Sequence, residues 1–195
     1  EAGIVSAARG LFTEYGFSRI KMEDIASALG ISKKTLYVHF SDKNELFERA
    51  LLSILEDWKK GYAGLNSEAG GCGEKFRRLN DFVLTCYAMI SRPLAADMKR
   101  FAPRAFREIN AWRERIIFTD ISALLEQAVK QGLFERDFDR KLVLVLYHEF
   151  ALNVITPQFL ARYPYTPAQA RETLNRIFFG RLLTPKGSRV LGHSV

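Results

Sequence analysis

The sequence predicts an all-α protein with a small amino-terminal head and a larger helical body. Three observations support this fold class. Apolar residues recur every three or four positions along most of the chain, no alternating strand pattern competes with them, and glycine, proline or capping residues separate the periodic stretches. With 195 residues, 48% of them hydrophobic, the chain can bury a substantial core.

The charge of the chain is positive but unevenly placed. The formal net charge is +7, yet residues 1–60 hold nine basic and nine acidic side chains, so the whole excess lies in residues 61–195. Overall basicity is therefore weak evidence for nucleic-acid binding. The two cysteines, Cys72 and Cys86, are too few for a disulfide framework, and no secretory leader or membrane-spanning run is visible. We expect a cytoplasmic protein without membrane contact.

The first three predicted helices form a compact head. Ile4 to Tyr15 follow the helical period and Gly16 can end that helix. Met22-Glu-Asp-Ile-Ala-Ser-Ala-Leu reads as a second helix, ended by Gly30, which can adopt the left-handed conformation of a tight turn. Ser32 can cap a third helix over Lys33 to His39. Together these pieces predict a helix-turn-helix from Lys21 to Phe40.

The third helix would present a polar surface. Leu36 and Phe40 lie one turn apart and can face inward, which leaves cations, a hydroxyl, a phenol and an imidazole outside. In a helix-turn-helix this second helix lies in the DNA major groove. We therefore predict DNA-contacting side chains at Lys33, Lys34, Thr35, Tyr37, His39 and Lys43.

The order of residues in this region resembles the TetR family of transcriptional regulators. The matching pieces are Asp24-Ile25-Ala26, Gly30-Ile31-Ser32-Lys33, Thr35-Leu36-Tyr37, His39-Phe40, and Lys43 followed by Leu46. The resemblance implies that Thr35 and its neighbours meet base edges and that Tyr37, His39 and Lys43 meet phosphates. Lys34 departs from the small residues common there, and Ile20-Lys21 departs from the family's usual capping Thr or Ser.

The remaining helices follow from capping and proline signals. Asp42 and Glu45 predict a capping box that begins a fourth helix at Lys43 and carries it to about Gly61. A fifth helix is expected from about Glu74 to Ser91 after a glycine-rich loop, a short one at Pro93, and a long one from Pro103 to about Gln131. Asp139 should cap a helix that ends near Pro157, and Thr166 with Pro167 and Gln169 should begin the last one. The tail from Thr184 reads as loosely ordered.

Large adaptable side chains in the middle helices are typical of a packed core, and they could also line a pocket for an apolar or aromatic small molecule, as the resemblance implies. The candidate effector residues are Tyr87, Met98, Phe101, Trp112, Phe118, Tyr147 and His148. His148-Glu149 begins like a metalloprotease signature, but Leu152 stands where the second histidine is needed, so we expect no metal.

The functional prediction is a DNA-binding transcriptional regulator, most specifically a ligand-responsive repressor that binds a palindromic operator as a homodimer. Its predicted domains are 1–52 for DNA binding and 53–195 for ligand binding and dimerisation, with Leu174, Ile177 and Phe178 at the dimer surface. No catalytic residue or cofactor is predicted. Two alternatives stay open: a helical protein-interaction module without DNA binding, and a helical enzyme that depends on His148 or Glu149.

Overall fold

The computed structural model describes residues 1–90 and 92–191, apart from the side chains of residues 92, 157 and 158. Within this part of the chain the regular elements are all helical, and extended backbone pairs only at an isolated antiparallel bridge between Phe134 and Leu183. The prediction of an all-α fold is confirmed. No helix in the described ranges is long and apolar enough to cross a membrane.

Twelve α-helices are described. They are α1 (Ala2–Tyr15), α2 (Met22–Leu29), α3 (Lys33–His39), α4 (Lys43–Ser67), α5 (Cys72–Ala88), α6 (Arg92–Phe101), α7 (Pro103–Arg115), α8 (Ser122–Lys130), α9 (Arg140–Val154), α10 (Pro157–Leu160), α11 (Pro167–Phe178) and α12 (Pro185–Leu191). A π-helical segment, Ile116–Ile121, joins α7 to α8, and a 3₁₀ turn, Gly180–Leu182, follows α11. Ser91, the predicted end of the fifth helix, lies outside the described residues.

The chain forms two compact units. The first consists of Glu1–Lys60 and Ile90–Ala111, and the second of Gly61–Met89 and the chain from Trp112 onward. Two boundaries between the units fall within α4 and α7, and a third follows α5, between Met89 and Ile90. The predicted domain limits, 1–52 and 53–195, stay a prediction.

An aromatic cluster forms part of the core of the first unit. The ring of Phe12 on α1 meets the edge of Phe47 on α4, with ring centres 5.0 Å apart. Phe17 stacks on Phe101 at 4.2 Å and also contacts Phe47 at 4.8 Å. Aromatic pairs in such geometries stabilise a core beyond the area that they bury. The cluster fixes α1 and α4 around the turn that leads into α2.

A buried polar network links α5, α9 and α11 in the second unit. The amide of Asn80 donates to Oδ1 of Asn175 at 2.8 Å, and the Tyr147 hydroxyl lies 2.8 Å from Oδ1 of Asn80 and 3.0 Å from Oδ1 of Asn175. Asn175 in turn donates to Oδ1 of Asp81 at 3.0 Å. Because buried polar groups are costly unless they are hydrogen-bonded, this network favours a single packing of the three helices.

Two predictions about the body were wrong in detail. The helix expected from Pro103 to Gln131 is interrupted by the π-helical segment, which widens the turn around Phe118. The tail is also more ordered than expected, since α12 forms within it. The hydroxyl of Thr184 accepts a bond from the Gly187 amide at 3.0 Å and donates to the Gly132 carbonyl at 2.7 Å. A Cβ added at Gly187 would lie only 1.9 Å from the Leu133 carbonyl oxygen, so α12 packs there by close backbone approach.

Candidate nucleic-acid interface

The helix-turn-helix forms as the sequence predicts. Gly30 has φ +63° and ψ 28°, and the amide of Ile31 donates to the carbonyl of Ala26 at 3.0 Å, which closes the end of α2. Ser32 then begins α3, because its hydroxyl oxygen accepts a bond from the Thr35 amide at 3.1 Å. The turn between α2 and α3 is therefore fixed by local chemistry at both of its ends.

The start of α2 is stabilised without a capping Thr or Ser. Lys21 occupies the N-cap position, and its backbone amide donates to Oδ2 of Asp24 at 2.7 Å. Asp24 thus supplies, from the first turn of α2, a hydrogen bond to the amide of the N-cap residue. The carboxylate also lies at the end of the helix where the helix dipole favours negative charge.

One face of α3 is buried and the other is open to solvent. Leu36 is fully buried and Phe40 nearly so, which agrees with the predicted inward pair. The side chains predicted to contact DNA on this helix are all exposed: Lys33, Lys34, Thr35, Tyr37 and His39. The structure therefore brings five of the six predicted DNA-binding residues together on one accessible surface.

Lys33 is engaged with a neighbouring helix. Its ammonium group forms an ion pair with the carboxylate of Glu23 on α2 and lies 5.7 Å from the centre of the Tyr37 ring. The hydrogen bond from Lys33 lowers the pKa of Glu23, and the same bond raises the pKa of Lys33. Because both side chains are about half exposed, the pair is weak enough for a phosphate to replace the carboxylate.

Lys43, the sixth predicted residue, lies at the start of α4 and is only partly exposed. Its ammonium group sits 3.9 Å from the centre of the Phe17 ring, a cation–π contact that fixes the direction of the side chain. Partial burial lowers its pKa, against the nearby carboxylate of Asp97, which raises it. The ammonium group of Lys43 is thus positioned by its contact with the Phe17 ring.

The predicted DNA-contacting residues do not include Val38, which is also exposed on α3. Its side chain is 74% exposed, the largest value among the large apolar side chains that the structure describes. The signal was present in the helical period, because Val38 lies on the opposite side of α3 from the buried Leu36. The residues predicted for the outer face of α3 are all polar.

The predicted effector residues are divided between the two compact units. Met98 and Phe101 belong to the first unit, and the other five belong to the second. Within the second unit the Tyr87 hydroxyl lies 2.5 Å from Nδ1 of His148, and the Phe118 ring packs edge-on against His148 at 5.3 Å. Burial lowers the pKa of His148, so the neutral imidazole is favoured.

The other two predicted effector residues of the second unit lie in different surroundings. Trp112 packs edge-on against Tyr62 at 5.9 Å, and Tyr147 is part of the asparagine network that links α5, α9 and α11. These positions account for both side chains as parts of a packed core.

A partly open cavity of about 650 Å³ lies in the second unit beside the π-helical segment. Of the predicted effector residues only Phe118 lines it. Its wall combines apolar and polar side chains, namely Phe118, Ser122, Phe138, Asp139, Arg140, Lys141, Leu144 and Val145. The size is within the range of small-molecule sites in proteins.

The predicted dimer residues lie on or beneath an exposed apolar surface of the second unit. Ile177 is 66% exposed, Phe178 is half-buried against Tyr147 and Phe150, and Leu174 is buried. We call the exposed members of this surface the apolar face; they are Leu142, Val145, Leu146 and Phe150 on α9 and Ile177 on α11. Exposed apolar side chains on two helices that pack together are typical of a protein–protein interface.

The sequence is similar to a known family of bacterial regulators and to a known transcriptional regulator. Residues 4–50 match the family described as bacterial regulatory proteins, tetR family. The chain is 32% identical over 131 residues to YhgD of Bacillus subtilis (strain 168), an uncharacterized HTH-type transcriptional regulator, covering 66% of this chain and 69% of that protein.

Solved structures show the same fold over nearly the whole chain. The ketosteroid transcriptional regulator KstR2 of Mycobacterium tuberculosis aligns with a TM-score of 0.66 at 21% identity, covering 94% of both chains. The TetR family transcriptional regulator PfmR of Thermus thermophilus aligns with a TM-score of 0.63 at 26% identity, covering 90% of this chain and 94% of that one. The chain therefore belongs to the TetR family and is a DNA-binding transcriptional regulator.

Proposed function

We propose that this regulator is a repressor that binds a palindromic operator as a homodimer and releases it in response to a small molecule. The observation that supports its DNA-reading role most directly is the exposed polar face of α3 opposite the buried Leu36. Lys34 and Thr35 are proposed to meet base edges in the major groove. Lys33, Tyr37, His39 and Lys43 are proposed to meet phosphates, which supply affinity that depends on salt.

Dimerisation follows from the small size of one recognition helix. A single α3 offers too few contacts for useful specificity in a genome, so two copies must act together. The apolar face on α9 and α11 supports self-association, because a two-fold axis would pair it with the same surface of a second chain in a four-helix arrangement. Two copies of α3 would then read half-sites about 34–36 Å apart.

An apolar or aromatic effector is proposed to bind the second unit. The cavity beside Phe118 supports this, and KstR2, whose name calls it a ketosteroid transcriptional regulator, suggests the class of molecule to test first. We place regulation on α4, since its residues belong to both compact units. Coupling of about 1–3 kcal/mol between effector and operator is typical of such linked equilibria. Because its target is DNA, we place the protein in the cytoplasm and expect no catalytic activity.

Selection of bound fragments from random double-stranded DNA with purified protein tests this proposal. We expect an inverted repeat with half-site centres about one helical turn apart and binding that weakens steeply as salt is added. Lys34→Ala should change the preferred base at one position in each half-site. Recovery of no common sequence, or binding that salt leaves unchanged, would favour a protein-interaction module instead.

A further inference from the structure

We propose that Val38 is a specificity-determining residue that reads the C5-methyl group of a thymine in each half-site. The inference rests on the proposed function, because it requires the outer face of α3 to lie against base edges. It adds to that function a named contact and a named base.

The position of Val38 follows from helix geometry. Successive side chains of an α-helix are about 100° apart, so the direction opposite Leu36 falls midway between Lys34 and Val38, about 20° from each. The full burial of Leu36 and the 74% exposure of Val38 agree with this arrangement. Lys34 and Val38 are therefore the two side chains at the centre of the outer face, one turn apart.

An exposed valine on a protein surface needs no explanation by itself. Its setting here is what is informative, because its neighbours on the outer face of α3 are the polar or charged side chains of Lys34, Thr35 and Tyr37. The major groove offers one apolar group among its donors and acceptors, the thymine C5-methyl. A valine at the centre of a base-reading face is complementary to that group and to no hydrogen-bonding edge.

The side chain is also well suited to this contact. Valine is branched at Cβ and has few accessible rotamers in a helix, so it loses little conformational freedom when it packs against a methyl group. A longer apolar side chain would lose more. Val38 can thus discriminate thymine without the ordering cost that a flexible residue would bring.

The spacing on α3 predicts where the thymine lies. Val38 is four residues after Lys34, a rise of about 6 Å along the helix axis. Base pairs are stacked about 3.4 Å apart. We therefore expect the thymine one or two base pairs from the position whose preference changes in Lys34→Ala.

Removal of single methyl groups from the operator tests the proposal. Each thymine of a half-site is replaced in turn by deoxyuridine, which removes only the C5-methyl group, and affinity is measured by fluorescence anisotropy. For the wild-type protein we expect a loss of about fourfold at the thymine next to the Lys34 position, the value of one buried methyl group. The Val38→Ala protein should bind the thymine and deoxyuridine operators equally at that position and should keep any sensitivity at others.

Val190→Ala is the matched control, because Val190 is also an exposed valine on a helix, 56% exposed on α12. It should keep the wild-type response to deoxyuridine. Since alanine favours helix more than valine does, Val38→Ala should retain the wild-type circular dichroism spectrum and should melt at a temperature no lower than that of the wild type.

The proposal is overturned if Val38→Ala retains the wild-type response at every thymine, or if it weakens all operators alike without changing any single preference. In either case a changed preference in Lys34→Ala would show that α3 still reads DNA, so the proposed function would stand. Failure of the wild-type protein to bind any DNA with salt dependence would overturn both.

Discussion

At the scale of single residues, the ion pair between Glu23 and Lys33 occupies a predicted phosphate-binding side chain of α3 in the free protein. The ammonium of Lys33 reaches a phosphate only when this pair opens, and the carboxylate of Glu23 adds negative charge beside a polyanion. We expect Glu23→Gln to raise operator affinity by a few-fold and to steepen its dependence on salt. Anisotropy titrations at several salt concentrations measure both quantities.

Glu126→Gln provides the control for that substitution. Glu126 forms a similar exposed ion pair with Lys130, at 2.7 Å, but on α8 in the second unit. Operator affinity should not change in this variant. Weaker binding by Glu23→Gln would mean that the ion pair holds Lys33 in its binding position, contrary to our expectation.

Gly30 is a residue whose backbone conformation decides a turn. Its φ of +63° lies in the left-handed region, and a Cβ at this position would meet no atom within 4 Å. The cost of Gly30→Ala is therefore backbone strain alone, about 1–2 kcal/mol. Gly10→Ala, in the interior of α1 and equally free of contacts, should instead stabilise by up to about 1 kcal/mol.

Native-state hydrogen exchange of the amides in α1, α2 and α3 measures these two effects in the same unit. Gly30→Asn should cost less than Gly30→Ala, since asparagine adopts the left-handed conformation more readily. Equal effects of Gly10→Ala and Gly30→Ala on stability would show that the positive φ of Gly30 is not what makes alanine costly there.

At the scale of helices, the ends that local chemistry determines could be predicted from the sequence. Ser32, Asp139 and Thr166 each accept the amide hydrogen bond expected of an N-cap, and Gly30 ends α2 as expected. These signals involve residues three or four positions apart, so the sequence displays them directly.

Features that depend on distant contacts could not be predicted. α12 is held by bonds from Thr184 to residues more than fifty positions earlier, and the π-helical segment has no marked sequence signature. The same distinction applies to the site. The polar face of α3 follows from periodicity, whereas the pairing of Lys33 with Glu23 depends on how two helices cross.

The surroundings of the predicted effector residues could not be predicted for a related reason. A pattern of large apolar residues indicates burial but not which cluster a residue joins. Tyr147 and His148 are adjacent in sequence, yet their hydroxyl and imidazole groups bond to different partners, Asn80 and Tyr87. On a helix that is apolar on several sides, such as α9, the direction of each side chain has to be observed.

The hydrogen-bond network between α5 and α11 should make the stability of the protein depend on pH through Asp81. Burial raises the pKa of Asp81, although the Asn175 hydrogen bond and the charges of Arg77 and Arg171 lower it. A carboxyl whose folded pKa is raised stabilises the fold when protonated, and that stabilisation is lost as pH rises through the folded pKa. Asp81→Asn should therefore stabilise the protein at neutral pH, because the new amide stays neutral and its oxygen can still accept from Asn175.

The gain from Asp81→Asn should shrink on acidification and vanish below the pKa of an unfolded aspartate, about 3.9. Urea unfolding of both proteins measures this difference between about pH 3.5, which lies below the pKa of an unfolded aspartate, and about pH 7. Glu126→Gln serves as a control of opposite sign, because the Lys130 hydrogen bond lowers the pKa of Glu126. A gain from Asp81→Asn that is independent of pH would show that titration of Asp81 is not its cause.

At the scale of the whole molecule, two exposed surfaces have opposite character. The outer face of α3 is mostly polar and suits a polyanion, whereas the apolar face on α9 and α11 suits another protein surface. The outer face of α3 can bind both halves of a palindromic site only if two copies of the chain associate. The apolar face is a surface through which they could do so. DNA affinity should therefore depend on residues of the apolar face as well as on those of α3.

Ile177→Asp tests this dependence. Ile177 is 66% exposed in the single chain, so a charge there should leave the fold of the monomer intact. In a two-fold dimer the same substitution occurs twice across the interface and leaves two carboxylates without partners in an apolar setting. We expect the protein to become monomeric by light scattering at micromolar concentration and its affinity for the full operator to fall by at least about tenfold.

Val190→Asp is the matched control, since Val190 is 56% exposed on α12 and lies outside the apolar face. This variant should remain dimeric and should bind the operator like the wild type. Both variants should bind a single half-site with the same weak affinity as the wild type, because the contacts of one α3 are unchanged. If Ile177→Asp stays dimeric while binding the full operator normally, the apolar face does not hold the two copies together, and the half-sites must be brought together through another surface.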